Sequence, residues 1–128
     1  MSPKGIIIRP SQYTVKETID RLVVYLQQHG ATLYARINQQ SELNNAGLKI
    51  SPMELILFGY PKAKGLIVAE NPLATLDFPL KIMAWEDKTK KVWLAYNDAT
   101  YVAERYSLPY TLMEPLDLEP LVTGALAG

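Results

Sequence analysis

The sequence predicts an α+β fold: a mostly antiparallel sheet with helices packed on one face. Three observations carry this. Short β-branched or alternating runs recur along the chain, among them Ile6–Ile8 and Leu33–Ile37. One longer segment, Thr14 to His29, carries a single apolar stripe at helical spacing. Two apolar runs, Leu80–Glu86 and Lys91–Tyr96, are joined by the polar stretch Asp87-Lys88-Thr89-Lys90, which reads as a hairpin.

Taken in order, Gly5 to Arg9 is the first strand, an isoleucine triplet bounded by Gly and Pro. Thr14 and Glu17 form a capping box for the helix that follows, and Ile19, Leu22, Val23 and Leu26 share one face of it. Gly30 sits where a left-handed C-cap is wanted. Thr32 to Asn38 alternates, which predicts Leu33, Ala35 and Ile37 on one face and Tyr34, Arg36 and Asn38 on the other. Gln39 to Gly47 is a polar loop with room for one helical turn. Glu54 to Tyr60 is almost continuously apolar and reads as a central strand buried on both faces. Pro61 to Asn71 predicts a short helix weakened by Gly65. Leu76 to Pro79 leads into the hairpin. Asp98 offers an N-cap for a helix from about Ala99 to Tyr106. Glu114 to Ala127 is a last helix, interrupted by Pro120 and Gly124.

A length of 128 residues fits one domain, residues 1–128, large enough for a core without disulfide or metal staples. Thirteen basic and thirteen acidic residues give no net charge. That argues against a nucleic-acid partner, whose binders draw on a basic excess, and removes one barrier to self-association. The absence of cysteine excludes disulfides, thiol catalysis and Cys-based zinc or iron–sulfur sites. The single histidine, His29, excludes a two-histidine metal site and stands in the last helical turn, where a cation suits the dipole. No metal or other cofactor is expected. The start MSPKGIII does not read as a signal peptide, and no apolar run approaches a membrane span. The expectation is a cytoplasmic protein with no membrane partner.

Several segments resemble one known family. They are YARIN at Tyr34–Asn38, ELILFGYPKA at Glu54–Ala63, FPLKIMAWED at Phe78–Asp87, KVWLAYND at Lys91–Asp98 and the YVAERYSL that follows. Together they look like domain-of-unknown-function family 302 of bacteria and archaea. The resemblance spans nearly the whole chain and implies a TATA-binding-protein-like sheet, roughly β-α-β4-α. It implies no activity. Two departures stand out: Asn38-Gln39 where members often carry Asp-His, and Gly59-Tyr60-Pro61-Lys62 where members often carry Gly-Asn-Pro-Lys. Either any chemistry that relatives place on a histidine at position 39 is absent here, or it never depended on that residue.

Three groups of residues are candidates for function. If Leu80, Ile82 and Ala84 face the helices, Met83 and Trp85 face away. Trp93 joins them from the partner strand, and Tyr34, Arg36 and Asn38 from the second strand. Such an aromatic surface serves as a self-association face for a homodimer or as a small-ligand platform, unless a loop or helix covers it. Arg36 adds bidentate capacity for a carboxylate or phosphate, or an ion pair. The second group, Gly59, Tyr60, Lys62 and Ala63, is a strand exit leading into a helix start, with free amides and lysine charge suited to an anion; the phosphate-loop pattern is missing. The third is a carboxylate set, Glu54, Glu86, Asp87 and Asp98, which an enzyme could combine with Arg36 or Lys62. Charged residues are usually solvated, and Asp98 has a capping role to fill. No nucleophile–base pair is visible, so no catalytic residue is assigned. The reading favoured is a small soluble binding or interaction domain that forms a homodimer, with an anion or small-ligand site.

Overall fold

The computed structural model describes residues 3–127. Five strands form one antiparallel sheet: β1 (Ile6–Ser11), β2 (Thr32–Asn38), β3 (Met53–Gly59), β4 (Leu80–Glu86) and β5 (Val92–Asn97). Their spatial order is β1-β5-β4-β3-β2, with every neighbouring pair antiparallel. The helices are α1 (Val15–Gln28), α2 (Gln39–Asn45), α3 (Pro61–Glu70), α4 (Ala99–Arg105) and α5 (Glu119–Leu126), with short 3-10 turns at Pro72–Asp77, Tyr110–Leu112 and Glu114–Leu116.

Helix α1 begins and ends as its sequence dictates. The Thr14 side chain accepts a hydrogen bond from the Glu17 amide at 3.1 Å, a cap worth about 1 kcal/mol. At the far end Gly30 takes φ +84°, and the Ala31 and Gly30 amides reach back to the Leu26 and Gln27 carbonyls. This pairing satisfies carbonyls that the helix end would otherwise orphan. Val15, Ile19, Leu22 and Leu26 are buried against the sheet.

The main core lies between α1, α5 and one face of the sheet. Ile56, Phe58, Ile82, Ala84, Leu94 and Tyr96 meet Leu118, Leu121, Val122 and Ala125 there. A second core closes one end of the sheet, where Ile67, Ala74, Phe78, Val102, Tyr106 and Leu116 come together. Leu80 packs against both cores.

Three local expectations change. The polar loop after β2 holds a two-turn helix, α2, because the Asn38 side chain accepts from the Ser41 amide and caps it. The last segment is broken rather than a single helix from Glu114. Pro115 and Pro120 each start a separate turn, and Asp117 between them is extended with φ −81° and ψ 105°. Finally, β3 is not buried on both faces. Glu54, Ile56 and Phe58 are buried, whereas Met53, Leu55 and Leu57 alternate with them and stay partly exposed.

Candidate functional site

The outer face of the sheet is apolar, and no helix packs on it among the described residues. Strand alternation and register place Ile8, Met53, Leu55, Leu57, Met83, Trp85, Trp93 and Ala95 there. Ala95 is buried among its neighbours, and the other side chains are partly exposed. None of them belongs to either core. Trp85 and Trp93 are register partners on β4 and β5. The Trp93 indole N–H donates to Asp87 Oδ2 at 2.8 Å, and the Lys91 ammonium lies 4.4 Å from the Trp93 ring centre. Lys81 adds a charged residue at the margin of this face.

The second strand divides the residues that its alternation groups together. The register shifts between Leu33 and Ala35, so β2 carries a β-bulge at Tyr34 that reverses the facing of everything after it. Tyr34 keeps to the outer side, its ring lying where a side chain on Gly59 would stand. Arg36 pairs with Ile56 in register and turns to the helix side, as does Asn38, the cap of α2. Arg36 therefore does not join Trp85 and Trp93. Its Nε donates to Glu54 Oε1 at 2.7 Å and its Nη1 to Asp20 Oδ1 at 2.7 Å. This ties α1, β2 and β3 together. Glu54 is only 7% exposed, so Arg36 supplies the partner its buried carboxylate needs. The Lys16 ammonium and then Arg36 hold the Asp20 carboxyl below its ordinary value, and Glu54 raises the Arg36 guanidinium. Tyr34 and the tryptophan pair share a face but sit at opposite ends of it, roughly 16 Å apart from strand spacing and rise.

Beside the sheet lies a cavity of about 630 Å³ between the end of α1, the start of α3 and the segment from Thr111 to Leu121. Three residues singled out as an anion site, Tyr60, Lys62 and Ala63, line it; Gly59 does not. Pro61 starts α3, and no side chain caps the helix there, which leaves the Lys62 and Ala63 amides at its open end. The Tyr25 ring forms one wall, stacked on His29 with centroids 4.0 Å apart. Its hydroxyl end lies over Gly124, where a Cβ would collide with it. Burial, and Tyr25 nearby, push the Tyr60 hydroxyl above its ordinary pKa. Leu66, Glu114, Asp117 and Leu121 complete the lining. Sequence reasoning missed these because no short motif links segments so far apart in the chain.

The four carboxylates do not converge. Glu54 is committed to Arg36. Asp98 caps α4 through the Thr100 amide at 3.2 Å. Asp87 closes the hairpin turn, accepting from the Thr89 amide and hydroxyl, the Lys91 amide and the Trp93 indole. The Trp93 and Thr89 hydrogen bonds lower its carboxyl to about 2. Glu86 borders a polar cleft of about 340 Å³ that Glu54 and Lys16 also line. Another network, Arg9, Tyr96 and Glu119, pins α5 to β1 and β5; burial there pushes the Tyr96 hydroxyl up to about 12. Among the described residues no group of three or more His, Asp or Glu side chains is placed to hold a metal ion.

Residues 7–117 match the family described as Domain of unknown function DUF302. The chain belongs to the DUF302 family. The same fold occurs in the crystal structure of an uncharacterized conserved DUF302 protein from Bacillus stearothermophilus, with TM-score 0.79, 20% identity and 97% of both chains covered. The DUF302 chain is also 33% identical over 120 residues to the fluoride-specific ion channel FluC 1 of Brucella suis biovar 1 (strain 1330), and equally to FluC 1 of Brucella abortus biovar 1 (strain 9-941). It covers 94% of itself in these matches but only 46% and 44% of those proteins, so it spans less than half of their length. Among the described residues of this DUF302 chain, no helix is long and apolar enough to cross a membrane.

Proposed function

We propose that this DUF302 domain is a non-catalytic interaction module that self-associates, two copies meeting through the outer faces of their sheets. The observation that carries the reading is strand β3. It is apolar on both sides, yet only its helix side is covered. An apolar face of this kind marks an interaction surface. Its size suits a second copy. Five strands about 4.8 Å apart and six residues rising about 3.3 Å each give a flat footprint of roughly 480 Å². Side-chain relief brings that toward the roughly 600–800 Å² per partner of a stable interface. The sheet edges favour face-to-face over edge-to-edge pairing, since β1 carries Pro10 and β2 carries the bulge. Zero net charge leaves little long-range repulsion between copies.

The chain has two tryptophans, and both lie on this face. Acrylamide quenching of their fluorescence tests the reading directly. Quenching should weaken as protein concentration rises, because dimerisation shields both indoles. Equal quenching at all concentrations, with the protein monomeric throughout, contradicts it. An enzyme built on the carboxylates with Arg36 or Lys62 has less support, because Glu54, Asp87 and Asp98 each have a structural partner.

A second reading is supported by the Brucella relatives, in which a region like this one makes up less than half of a longer protein. In those proteins we infer an accessory role for the shared region, with any fluoride path lying in the remainder. Deleting the shared region from the Brucella suis protein should leave fluoride flux into vesicles and alter its assembly. Complete loss of flux in a stably inserted protein counts against this.

A further inference from the structure

We propose that the cavity between α1, α3 and the Thr111–Leu121 segment binds a small molecule with an apolar body and a zwitterionic head, the chemical class of an amino acid with an aromatic or large aliphatic side chain. The volume, about 630 Å³, falls within the roughly 300–1,000 Å³ of small-molecule sites. The body of the site is apolar. Tyr25 and Leu121 form its walls, and Leu66 is left 59% exposed beside it.

The charged groups are arranged as a complement to a zwitterion. Lys62 enters from α3, whereas Glu114 and Asp117 enter from the segment across the cavity. These opposite charges border one space without closing on each other, since none of the three stands within ion-pair distance of a partner among the described residues. Asp117 Oδ1 accepts from the Glu119 amide at 3.1 Å; a ligand carboxylate set against Lys62 and a ligand ammonium set against Glu114 and the remaining Asp117 oxygen would pair all three. A simple anion would leave the two acids facing it, and a simple cation would leave Lys62 unpaired. One wall is a stacked pair: the Tyr25 ring lies on His29, whose Nδ1 is 2.8 Å from the Tyr25 carbonyl oxygen.

The site shares no residue with the outer sheet face, so the two readings fail separately. The test is a titration of ¹⁵N-labelled protein with L-phenylalanine, followed by amide shifts, alongside 3-phenylpropionate and phenethylamine, which lack the ammonium and the carboxylate respectively. The expected result is saturable shifts at residues 60–66 and 111–121 with L-phenylalanine, and binding weaker by about tenfold for either truncated probe, the effect of one lost charge-assisted hydrogen bond. Lys62→Glu, a change at an exposed side chain, should weaken L-phenylalanine by a similar factor while leaving the spectrum otherwise folded. Ala63→Trp should block the cavity. Absence of saturable shifts, shifts confined to the Trp85–Trp93 face, or equal affinity for L-phenylalanine and 3-phenylpropionate would each overturn the proposal.

Discussion

Trp85 and Trp93 stand directly opposite one another on β4 and β5, on the sheet face away from the main core. The second of them is tethered to the hairpin turn, because its indole N–H donates to Asp87. The turn, the outer face and the fluorescence of the protein are thereby coupled through one carboxylate.

That coupling predicts an acid transition. The Asp87 carboxyl titrates at about 2 in the folded chain and near its ordinary value of about 3.9 when unfolded. Its folded value is depressed, so its contribution to stability is full above about pH 5 and is lost as pH falls from there toward 2. In the folded chain the indole loses its charged partner only as pH approaches about 2, and tryptophan emission should shift there. Asp87→Asn should lower stability at neutral pH and remove this part of the acid dependence. An unchanged acid profile in the variant would show that another group is responsible.

Arg36 and Glu54 form a partly buried pair, with side-chain exposures of 30% and 9%. Arg36→Met leaves the Glu54 carboxylate desolvated and unpaired, and should cost about 1–3 kcal/mol in denaturant unfolding, the pair being too exposed for the full penalty of a buried one. The double change Arg36→Met with Glu54→Leu should recover most of that loss. If the single variant is as stable as the parent, the Asp20–Arg36–Glu54 network does not fasten α1 and β2 to β3.

Gly124 sits inside α5, where alanine would ordinarily gain about 1 kcal/mol. Here a Cβ would run into the Tyr25 ring and hydroxyl. Gly124→Ala should therefore destabilise by about 1–3 kcal/mol, and Tyr25→Leu should relieve most of the penalty when the two are combined. Thermal unfolding of the four proteins in this cycle measures the coupling, and strict additivity would mean that Tyr25 moves aside freely.

Local signals were legible in the sequence, and long-range assembly was not. The Thr14 cap, the Gly30 turn, the hairpin at Asp87 and the placing of Trp85 and Trp93 on one face all follow from spacing within a few residues. The bulge at Tyr34 does not, because strand period alone assumes an unbroken register, and one extra residue turns Arg36 and Asn38 to the helix side. The continuous apolar run of β3 suggests double burial, but it reports two apolar faces of which only the helix side is packed. The cavity was half visible: Tyr60, Lys62 and Ala63 are contiguous, but Tyr25, Glu114 and Asp117 reach it only through tertiary packing.

Native mass spectrometry of the unmodified chain and of Met83→Glu tests the self-association account most directly. Met83 lies on the central strand of the outer face, between Leu55 and Ala95 in register, where a carboxylate would be desolvated in a face-to-face pair. The parent should be a dimer and the variant a folded monomer, with matching circular dichroism. A monomeric parent, or a variant that remains dimeric, would contradict it.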